Sequence, residues 1–386
     1  MDENEPKIEQ TKKETDRKCP DCGGVMDFDP STGGLTCPYC GHHEEIKVGK
    51  KVQPTGKNSN GKDDEENWPE ETTVKEQDFS LAETKENCDW GAAKKTIICK
   101  SCGAESIYDE NQLANSCPYC DSNQVMEEKG KNQLAPGGVC TFAIKSDKAE
   151  ENFKKWIKGQ FFAPNIVQKK ARADSFTGVY IPYWTFDTNT FSKYTAQYGI
   201  DRTEEDSEGN TTTYTDWYDT RGRYKEFIDD FPVCATKRYD KKILKQILPF
   251  GTEKSKPYKP EYVAGFIAER YTIGLKDGWE EGKVGITEHL KEKIEQVIRK
   301  EEDADHVRHL NVSTIYEDLK YKYLLLPVWL SSFKYKDKIY NFMVNGETGK
   351  VGGECPVSGW KVAGVVIGII LLLWLLFAIF GGGSPE

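Results

Sequence analysis

Two Cys-x-x-Cys pairs separated by fourteen residues occur twice in this chain, and this spacing is its strongest indication of chemistry. Each pair places two thiolates on one side of a tight turn, and two such turns complete a tetrahedral zinc site. All four positions are cysteine, so no coordination position is left for substrate or water, and both zinc ribbons are predicted to be structural. The predicted ligands of the first site are Cys19, Cys22, Cys37 and Cys40, and those of the second are Cys99, Cys102, Cys117 and Cys120.

The residues around these pairs favour ribbons that contact protein over ribbons that bind nucleic acid. Gly23 and Gly103 follow the first pair of each module and allow the backbone amides to point at sulfur. Residues 17–47 carry three basic and five acidic side chains, and residues 94–131 carry five basic and six acidic ones. Neither surface would attract a phosphate backbone strongly. Protein contact, or stapling of a small domain, is therefore the favoured role.

The remaining candidates for catalysis lack the partners that catalysis needs. A cysteine nucleophile requires a base beside it, and the four other cysteines share no recognisable motif with any histidine. We expect these cysteines to be buried or incidental, and we expect His42 and His43 to lie at the surface. The P-loop-like segment 56–63 has aspartate in place of the hydroxyl that holds Mg²⁺. The sequence thus predicts no enzyme, and the four cysteines concerned are Cys88, Cys140, Cys234 and Cys355.

A C-terminal membrane anchor is predicted from residues 362–380, which are nineteen uncharged residues. At about 1.5 Å rise per residue they span about 28 Å, close to the hydrocarbon core of a bilayer. Lys350 and Lys361 precede this helix and no basic residue follows it, which favours a cytoplasmic N-terminal bulk, as in a tail-anchored protein. Gly364 and Gly368 have the Gly-x-x-x-Gly spacing of associating helices, although glycine is common in membrane helices generally.

The composition fits a large polar portion carried on a single anchor. The chain has 386 residues, of which 30% are charged and 37% hydrophobic, and its formal net charge is −10. The length allows two or three domains, and the negative charge disfavours a general nucleic-acid binder. The polar N-terminus lacks the apolar core of a signal peptide, and paired cysteines indicate metal binding in a reducing compartment. We therefore expect a single-pass protein of the cell membrane with its N-terminal bulk in the cytoplasm.

An α+β domain is predicted to follow the second ribbon. Residues 149–162 have helical periodicity, and a second amphipathic helix is expected to open near Thr287. Residues 191–220 are typical of a β-hairpin whose acidic tip, 201–208, forms a solvated loop.

Two similar motifs in this domain favour an internal duplication. VYIPYW at 179–184 and LLLPVW at 324–329 each follow helical sequence and precede alternating strands. A duplicated α+β unit would place Pro182 and Pro327 at strand edges, where no amide donor is needed. Two unrelated strands that share Pro-x-Trp are the alternative.

The predicted fold class is α+β and multidomain, with two small zinc ribbons, one mixed α+β domain and one transmembrane helix. The segment 48–90 is polar and lacks hydrophobic periodicity, which predicts a flexible linker that lets the first ribbon sample space away from the membrane. The predicted segments are a disordered leader (1–16), zinc ribbon 1 (17–47), the linker (48–90), zinc ribbon 2 (91–131), the α+β domain (139–355, with candidate repeats 139–235 and 260–355), the transmembrane helix (360–380) and a tail (381–386).

Several motifs spread from Arg17 to the anchor carry a family resemblance: CPDCGG, CDWGAAKKTIICKSCGA, FFAP, GVYIPYWTFD, AGFIAERY, LLLPVWL and FMVNGETGKVGGE. Together they resemble bacterial membrane proteins usually described as TFIIB-type zinc-ribbon proteins, some of which carry the transferred name primosomal replication factor Y helicase. The helicase name does not fit this sequence, which has no nucleotide-binding motif. Some relatives look linked to flotillin-like (SPFH) and phage-shock membrane-stress systems, so the resemblance implies a membrane platform that recruits a cytosolic partner.

The leading hypothesis is a non-enzymatic, tail-anchored adaptor that holds two structural Zn²⁺ ions and brings a protein partner to the membrane. The alternative is a nucleic-acid-associated factor of replication or transcription type tethered to the membrane. That alternative predicts binding with a steep salt dependence. An enzyme whose site lies in the α+β domain is a third hypothesis without a motif in its favour.

Overall fold

A mixed α+β architecture is present in the computed structural model of the chain, as the sequence predicts. Long antiparallel strands form a central sheet, and helices pack against it. The structure describes residues 18–46, 74–79, 94–99, 105–109, 125–128, 134–164, 176–205, 211–335 and 338–380.

The first cysteine module forms a small antiparallel sheet of its own. Its strands are β1 (Asp27–Asp29), β2 (Gly34–Thr36) and β3 (His43–Glu44), and they pair in that order. Such short strands bury little apolar surface, so a module of this size needs further stabilisation from a metal or a neighbouring domain.

This module packs on the α+β domain, which corrects the expectation that it samples space freely. Phe28 is 3% exposed, and its ring lies edge-on to that of Tyr262 at 6.1 Å between centroids. The Phe28 amide donates to the Ala264 carbonyl at 3.1 Å, and Lys145 pairs with Asp29 at 3.0 Å. The physical reason is apolar burial, because the inward-facing side chains of the module join the main hydrophobic core.

Part of the segment predicted as a flexible linker (48–90) is also docked. Strand β4 (Gln77–Asp78) pairs with Lys320 and Tyr321, and the neighbouring Phe79 ring packs among aromatic rings of the core. The prediction from sequence missed this short segment because one aromatic residue and two strand residues are too few to show a periodic pattern of hydrophobic side chains. The rest of the predicted linker lies outside the described residues.

The backbone of the second cysteine module extends the central sheet. Strands β5 (Lys94–Cys99), β6 (Glu105–Asp109) and β7 (Val125–Glu128) are antiparallel, with β5 in the middle. Strand β6 pairs in turn with a strand of the α+β domain at Ile107 and Ser106. The predicted boundary at residues 91–131 therefore falls within one continuous sheet.

The α+β domain is built on very long strands. Two of them, β9 and β13, lie next to each other in the centre, and helix α3 covers one face of their outer part. Its strands are β8 (Gly138–Val139), β9 (Thr177–Glu205), β10 (Thr211–Cys234), β11 (Lys256–Pro257), β12 (Ile267–Glu269), β13 (His306–Tyr335), β14 (Lys338–Asn345) and β15 (Val351–Gly353). Its helices are α1 (Ser146–Gly159), α2 (Lys241–Ile247) and α3 (Leu275–Glu301), with 3-10 turns at Thr252–Lys254 and Pro260–Val263, and α4 (Gly359–Phe380) follows.

The two similar motifs pair with each other around the central register Ile181–Leu326. Strand β8 runs parallel to β13, and β12 runs parallel to β9, at equivalent positions on either side. The segments β8-α1-β9-β10 and β12-α3-β13-β14 thus occupy matching places in the sheet. Duplication stays a prediction, and this arrangement supports it.

The two tryptophans of these motifs make equivalent contacts across the pairing. Trp184 donates from its indole nitrogen to the Ile273 carbonyl at 2.9 Å, and Trp329 donates to the Ile144 carbonyl at 3.1 Å. Each accepting carbonyl lies two residues before the helix of the opposite unit.

The two prolines lie in the interior of the sheet, not at its edges as predicted. Pro182 pairs with Leu325, and Pro327 pairs with Tyr180. On one side, β9 pairs first with β12 and then with β10, and β13 pairs first with β8 and then with β14. Each proline lies between its two successive partner strands, where no backbone N–H group is needed for pairing, and proline is therefore tolerated there.

Helix α3 begins at Leu275, three turns before the predicted start near Thr287. Its early turns contain Gly278 and Gly282, residues that lower helix propensity. A Cβ at Gly278 would lie 2.6 Å from the Trp184 ring, and one at Gly282 would lie 3.2 Å from the Phe186 ring. The glycines allow the helix to approach the sheet closely, and this packing stabilises turns that propensity alone disfavours.

The predicted hairpin of residues 191–220 is present, but its strands run further than expected. Asp201 to Glu205, assigned to the loop, continues β9 and pairs with β10 as far as Thr211. Thr215 donates to the Asp201 carboxylate at 2.6 Å, and the His306 ring lies 3.1 Å from its other oxygen. These cross-strand bonds order an acidic segment whose composition indicates a loop.

Helix α4 is long and apolar enough to cross a membrane, by length and composition. Its twenty-two residues rise about 33 Å, and residues 359–376 have a mean hydropathy of 2.2 with no part of that span buried in the protein. The helix predicted at 360–380 is therefore present, and its role as a membrane anchor stays a prediction.

Candidate metal centre

The four cysteines of the first predicted site lie together at the tip of the small sheet. The Cys19 and Cys40 sulfur atoms are 3.4 Å apart, and those of Cys22 and Cys37 are 3.5 Å apart. All four sulfur atoms lie within 4.8 Å of one another. Two of the ligands are buried and two are exposed, so the site is at the edge of the module.

These distances fit a metal ion bound by four thiolates. In a tetrahedral zinc–thiolate site with bonds of about 2.3 Å, neighbouring sulfur atoms are about 3.8 Å apart. The protein thus has one four-cysteine group positioned to bind a metal ion. Four ligands fill a tetrahedron, so the expected role of such an ion is structural.

Two glycine-terminated turns position the sulfur atoms. Gly23 and Gly41 follow the two cysteine pairs with φ values of +74° and +78°, which favour glycine. Their amides donate to the carbonyls of Cys19 and Cys37 at 2.8 and 2.9 Å. The sequence prediction used Gly23 but missed Gly41, although the Cys-Pro-Tyr-Cys-Gly pattern contains the signal.

The four thiols of this group affect one another's ionisation because their sulfur atoms lie so close together. Burial opposes ionisation of Cys37, but the amides of Cys40 and Tyr39 outweigh it and lower the pKa of Cys37 to about 7. The His42 amide favours a Cys40 thiolate, yet the Cys19 sulfur, burial and the other two sulfur atoms raise the pKa of Cys40 to about 12. Four negative sulfur atoms this close repel one another, so a bound cation is needed for all four to ionise.

The neighbouring histidines bond to groups other than sulfur. The His42 Nδ1 atom lies 2.7 Å from an Asp21 carboxylate oxygen, and the His43 Nδ1 atom lies 3.3 Å from the Thr36 hydroxyl. His43 is exposed and His42 is half-buried. These positions agree with the expectation that four cysteines suffice.

The second predicted site cannot be described in the same way. Cys99 ends strand β5, opposite Val125 of β7. The other three predicted ligands, Cys102, Cys117 and Cys120, lie outside the described residues.

The cysteines outside the ribbons have the properties of inert thiols. Cys140 is buried, and Cys234 and Cys355 are half-buried. Burial raises the pKa of all three, that of Cys234 to about 12. Thiols that hold their protons are poor nucleophiles. Cys88 lies outside the described residues.

An apolar cleft of about 390 Å³ lies between α2 and α3. Its floor includes Tyr183 and Cys234, and the ion pair Lys241–Glu281, at 2.8 Å, crosses its rim. The size suits a small apolar molecule. Among the described residues that line it there is no histidine to act as a base for Cys234.

A larger exposed surface is the face of β9, β10 and β13 opposite α3, named here the open face. Tyr194 and Ala196 are buried against Ile294 and Ile298, so the alternate side chains point away from the helix. The basic residues of the open face are Lys193, Arg221, Arg223, Lys225 and Arg308, the acidic ones are Asp201, Glu205, Asp219 and Glu317, and the apolar ones are Phe191, Trp217, Phe227 and Ile315.

Basic and aromatic groups on the open face are stacked. The Arg308 guanidinium lies 3.7 Å from the Trp217 ring centroid, and the Lys225 ammonium lies 5.1 Å from that of Phe191. Such stacking holds long side chains in place while their charges stay accessible. The signal was present in the alternation of Arg221, Arg223 and Lys225, which lie just beyond the predicted hairpin of residues 191–220 and which the sequence prediction did not consider.

Fold and site together define a mixed α+β protein with one four-cysteine metal-binding group and a C-terminal helix long enough to cross a membrane. The chain is 30% identical over 378 residues to YdjG of Bacillus subtilis (strain 168), an uncharacterized protein; the match covers 95% of this chain and 98% of YdjG. The chain therefore belongs to the same family as YdjG. No family model matches it, and no solved structure matches it.

Proposed function

We propose that this protein is a non-enzymatic adaptor, anchored in the cell membrane by α4, whose cytoplasmic part recruits a partner protein. One observation carries the proposal. A domain with a closed four-cysteine group has its last strand end at Gly353, and a link of five residues leads from there into the exposed apolar helix, which begins at Gly359. The helix could tether the protein to a membrane, and the metal-bound cysteines would stabilise the domain that binds the partner.

The metal in this proposal is zinc. Four thiolates in a tetrahedral arrangement are typical of structural zinc, and soft sulfur ligands disfavour magnesium or calcium. We propose a second zinc ion at Cys99, Cys102, Cys117 and Cys120, because their spacing repeats that of the first set. Membership of the TFIIB-type zinc-ribbon family, suggested by resemblance, belongs to the same proposal.

The orientation and the partner type are also proposals. Lys350 and Lys361 precede α4 and favour a cytoplasmic domain, with the helix inserted as a single-pass tail anchor. The family resemblance suggests a partner of flotillin-like (SPFH) or phage-shock type in a membrane-stress response.

The surface that we assign to partner capture is the open face, not the first ribbon. The ribbon is docked through Phe28, whereas the open face exposes five basic and four acidic side chains beside aromatic rings. The whole chain has a net charge of −10, so a face on which basic side chains outnumber acidic ones, with Lys193, Arg221 and Arg223 next to one another, is a local exception. An acidic protein surface complements it, and aromatic and arginine side chains are frequent anchors of interfaces.

Proximity labelling in the native host tests this assignment. The full-length chain is compared with Arg221→Glu combined with Arg223→Glu, which reverses two charges on the open face. The matched control is Lys291→Glu combined with Lys300→Glu, the same charge change at exposed positions on α3. Loss of labelled partners with the first variant but not with the control supports recruitment by the open face. Equal labelling by all three proteins contradicts it.

A second candidate function, binding of single-stranded nucleic acid, is favoured by the same surface. An exposed sheet with basic residues around Phe191, Trp217 and Phe227 has the elements of a stacking platform. Fluorescence anisotropy with a single-stranded oligonucleotide, at increasing salt, distinguishes the two functions. Binding that falls steeply with salt and is lost in the Arg221→Glu and Arg223→Glu variant supports nucleic acid, while no binding supports a protein partner.

A further inference from the structure

Two phenylalanine rings are exposed immediately after α1. Phe161 is 65% exposed and Phe162 is 40% exposed, and their rings lie edge-to-face at 5.2 Å between centroids. Adjacent exposed aromatic side chains are unfavourable in water, and such patches mark surfaces that contact another phase or molecule.

The same segment is bonded to the start of α4. The Ser358 amide donates to the Phe162 carbonyl at 2.8 Å, and the Lys361 ammonium donates to the Ala163 carbonyl at 2.8 Å. These two bonds hold the phenylalanine turn against the first residues of the apolar helix.

Further apolar side chains are exposed at this junction. Trp360 is 91% exposed and Val357 is 62% exposed, on either side of the first helical residue, Gly359. With Phe161 and Phe162 they form the junction patch. Exposed Lys155 and Lys158 of α1 lie just before it in the chain. Aromatic rings and lysines together are typical of the membrane–water interface.

The connection to α4 is too short to hold the domain away from a bilayer. Residues 354–358 link β15 to the helix, and five extended residues span at most about 17 Å. If α4 crosses the membrane, the junction patch lies at the depth of the lipid headgroups. A bilayer would then cover apolar rings that water otherwise surrounds.

We propose that the junction patch inserts into the interfacial layer of the bilayer and holds the α+β domain against the membrane in a fixed orientation. The inference rests on the proposed function only in that α4 must be the anchor. The domain is then seated on the lipid surface through Phe161, Phe162, Val357 and Trp360, and is not hinged freely on its tether.

Photo-crosslinking from lipid acyl chains tests this seating. The full-length chain is reconstituted into vesicles of phosphatidylcholine and phosphatidylglycerol that contain a phosphatidylcholine with a photoreactive acyl chain, and adducts are mapped by mass spectrometry. We expect adducts along α4 and on Phe161 and Phe162. Phe227, which is 57% exposed on the open face, is the internal reference and should carry several-fold fewer adducts.

The outcomes separate the patch from the anchor. Adducts on α4 without enrichment on Phe161 and Phe162 over Phe227 overturn the seating and leave the anchor intact. The lack of adducts on α4 itself overturns membrane anchoring and, with it, the proposed function. As a second measurement, Phe161→Ser combined with Phe162→Ser should reduce adducts at Val357 and Trp360 several-fold relative to those at residues 364–376 of α4. The Phe227→Ser variant should leave them unchanged. Equal adducts in both variants count against the seating.

Discussion

Replacement of Asp187 by asparagine should stabilise the protein at neutral pH. Asp187 is only 1% exposed in the middle of β9. Its Oδ1 atom accepts the Asp230 amide at 2.6 Å, while its Oδ2 atom has no hydrogen-bond partner among the described residues. Asp187→Asn keeps the acceptor and removes the buried charge. The new amide nitrogen would lie near the Asp229 and Asp230 carboxylates, whose oxygen atoms are within 4.8 Å of that of Asp187.

The size of the effect follows from the pKa of Asp187. Burial raises this pKa from 3.8 to about 6; the Asp230 and Glu76 charges add to the increase, whereas the Asp230 amide and Lys322 oppose it. The folded state therefore binds the proton more tightly than the unfolded state, and wild-type stability falls as pH rises from about 4 to about 6. A difference of about two pH units corresponds to at most about 3 kcal/mol at pH 7.5 and about half of that at pH 5.

Thermal unfolding of the full-length chain in detergent measures this effect at both pH values. The Asp187→Asn variant should unfold several degrees above wild type at pH 7.5, and its advantage should shrink at pH 5. Asp219→Asn, a change at an exposed aspartate on the open face, is the control and should show no such pH dependence. A gain that is equal at the two pH values, or a loss at pH 7.5, would refute the assigned burial of a charged carboxylate.

Three further changes probe the ribbon, the metal and the anchor. Phe28→Ala removes a buried ring and should weaken docking of the ribbon by about 3–5 kcal/mol. The expected result is faster hydrogen exchange of residues 18–46 with the metal content retained, whereas Tyr39→Ala, at a position 79% exposed, should have no such effect. Cys37→Ser should lower bound zinc by one ion per chain in elemental analysis, whereas Cys140→Ser should leave it unchanged. Gly364→Leu should weaken association of the anchor helix in detergent if helices pack closely there, since the larger side chain would keep them apart. Among the described residues a Cβ at Gly364 has no neighbour within 4 Å, so the change should not disturb the fold; unchanged association contradicts the packing role.

The metal centre and the apolar helix were accessible from sequence because both depend on local chemistry. A Cys-x-x-Cys pair followed by glycine forms its turn from neighbouring residues, so the spacing of Cys19, Cys22, Cys37 and Cys40 predicts their grouping. An uninterrupted apolar stretch such as residues 362–380 is likewise recognised from its length and composition alone.

Other features were missed because they depend on partners distant in the chain. Phe28 finds its place against Tyr262, and the early turns of α3 exist because Gly278 can approach Trp184. Neither contact leaves a periodic signal in its own segment. The prediction that Pro182 lies at a strand edge was wrong for a similar reason. Pro182 is accommodated between the strands β12 and β10, and the order of strands in the sheet decides that position.

The sequence by itself determined the ligand set of the first metal site, the apolar C-terminal helix and the α+β class. Only the tertiary structure decided that the ribbon docks, that basic side chains converge on the open face, and that Phe161 lies beside the start of α4. The physical reason is that turns and helices are specified within a few residues, whereas burial and surface charge patterns arise when strands separated by more than a hundred residues pair.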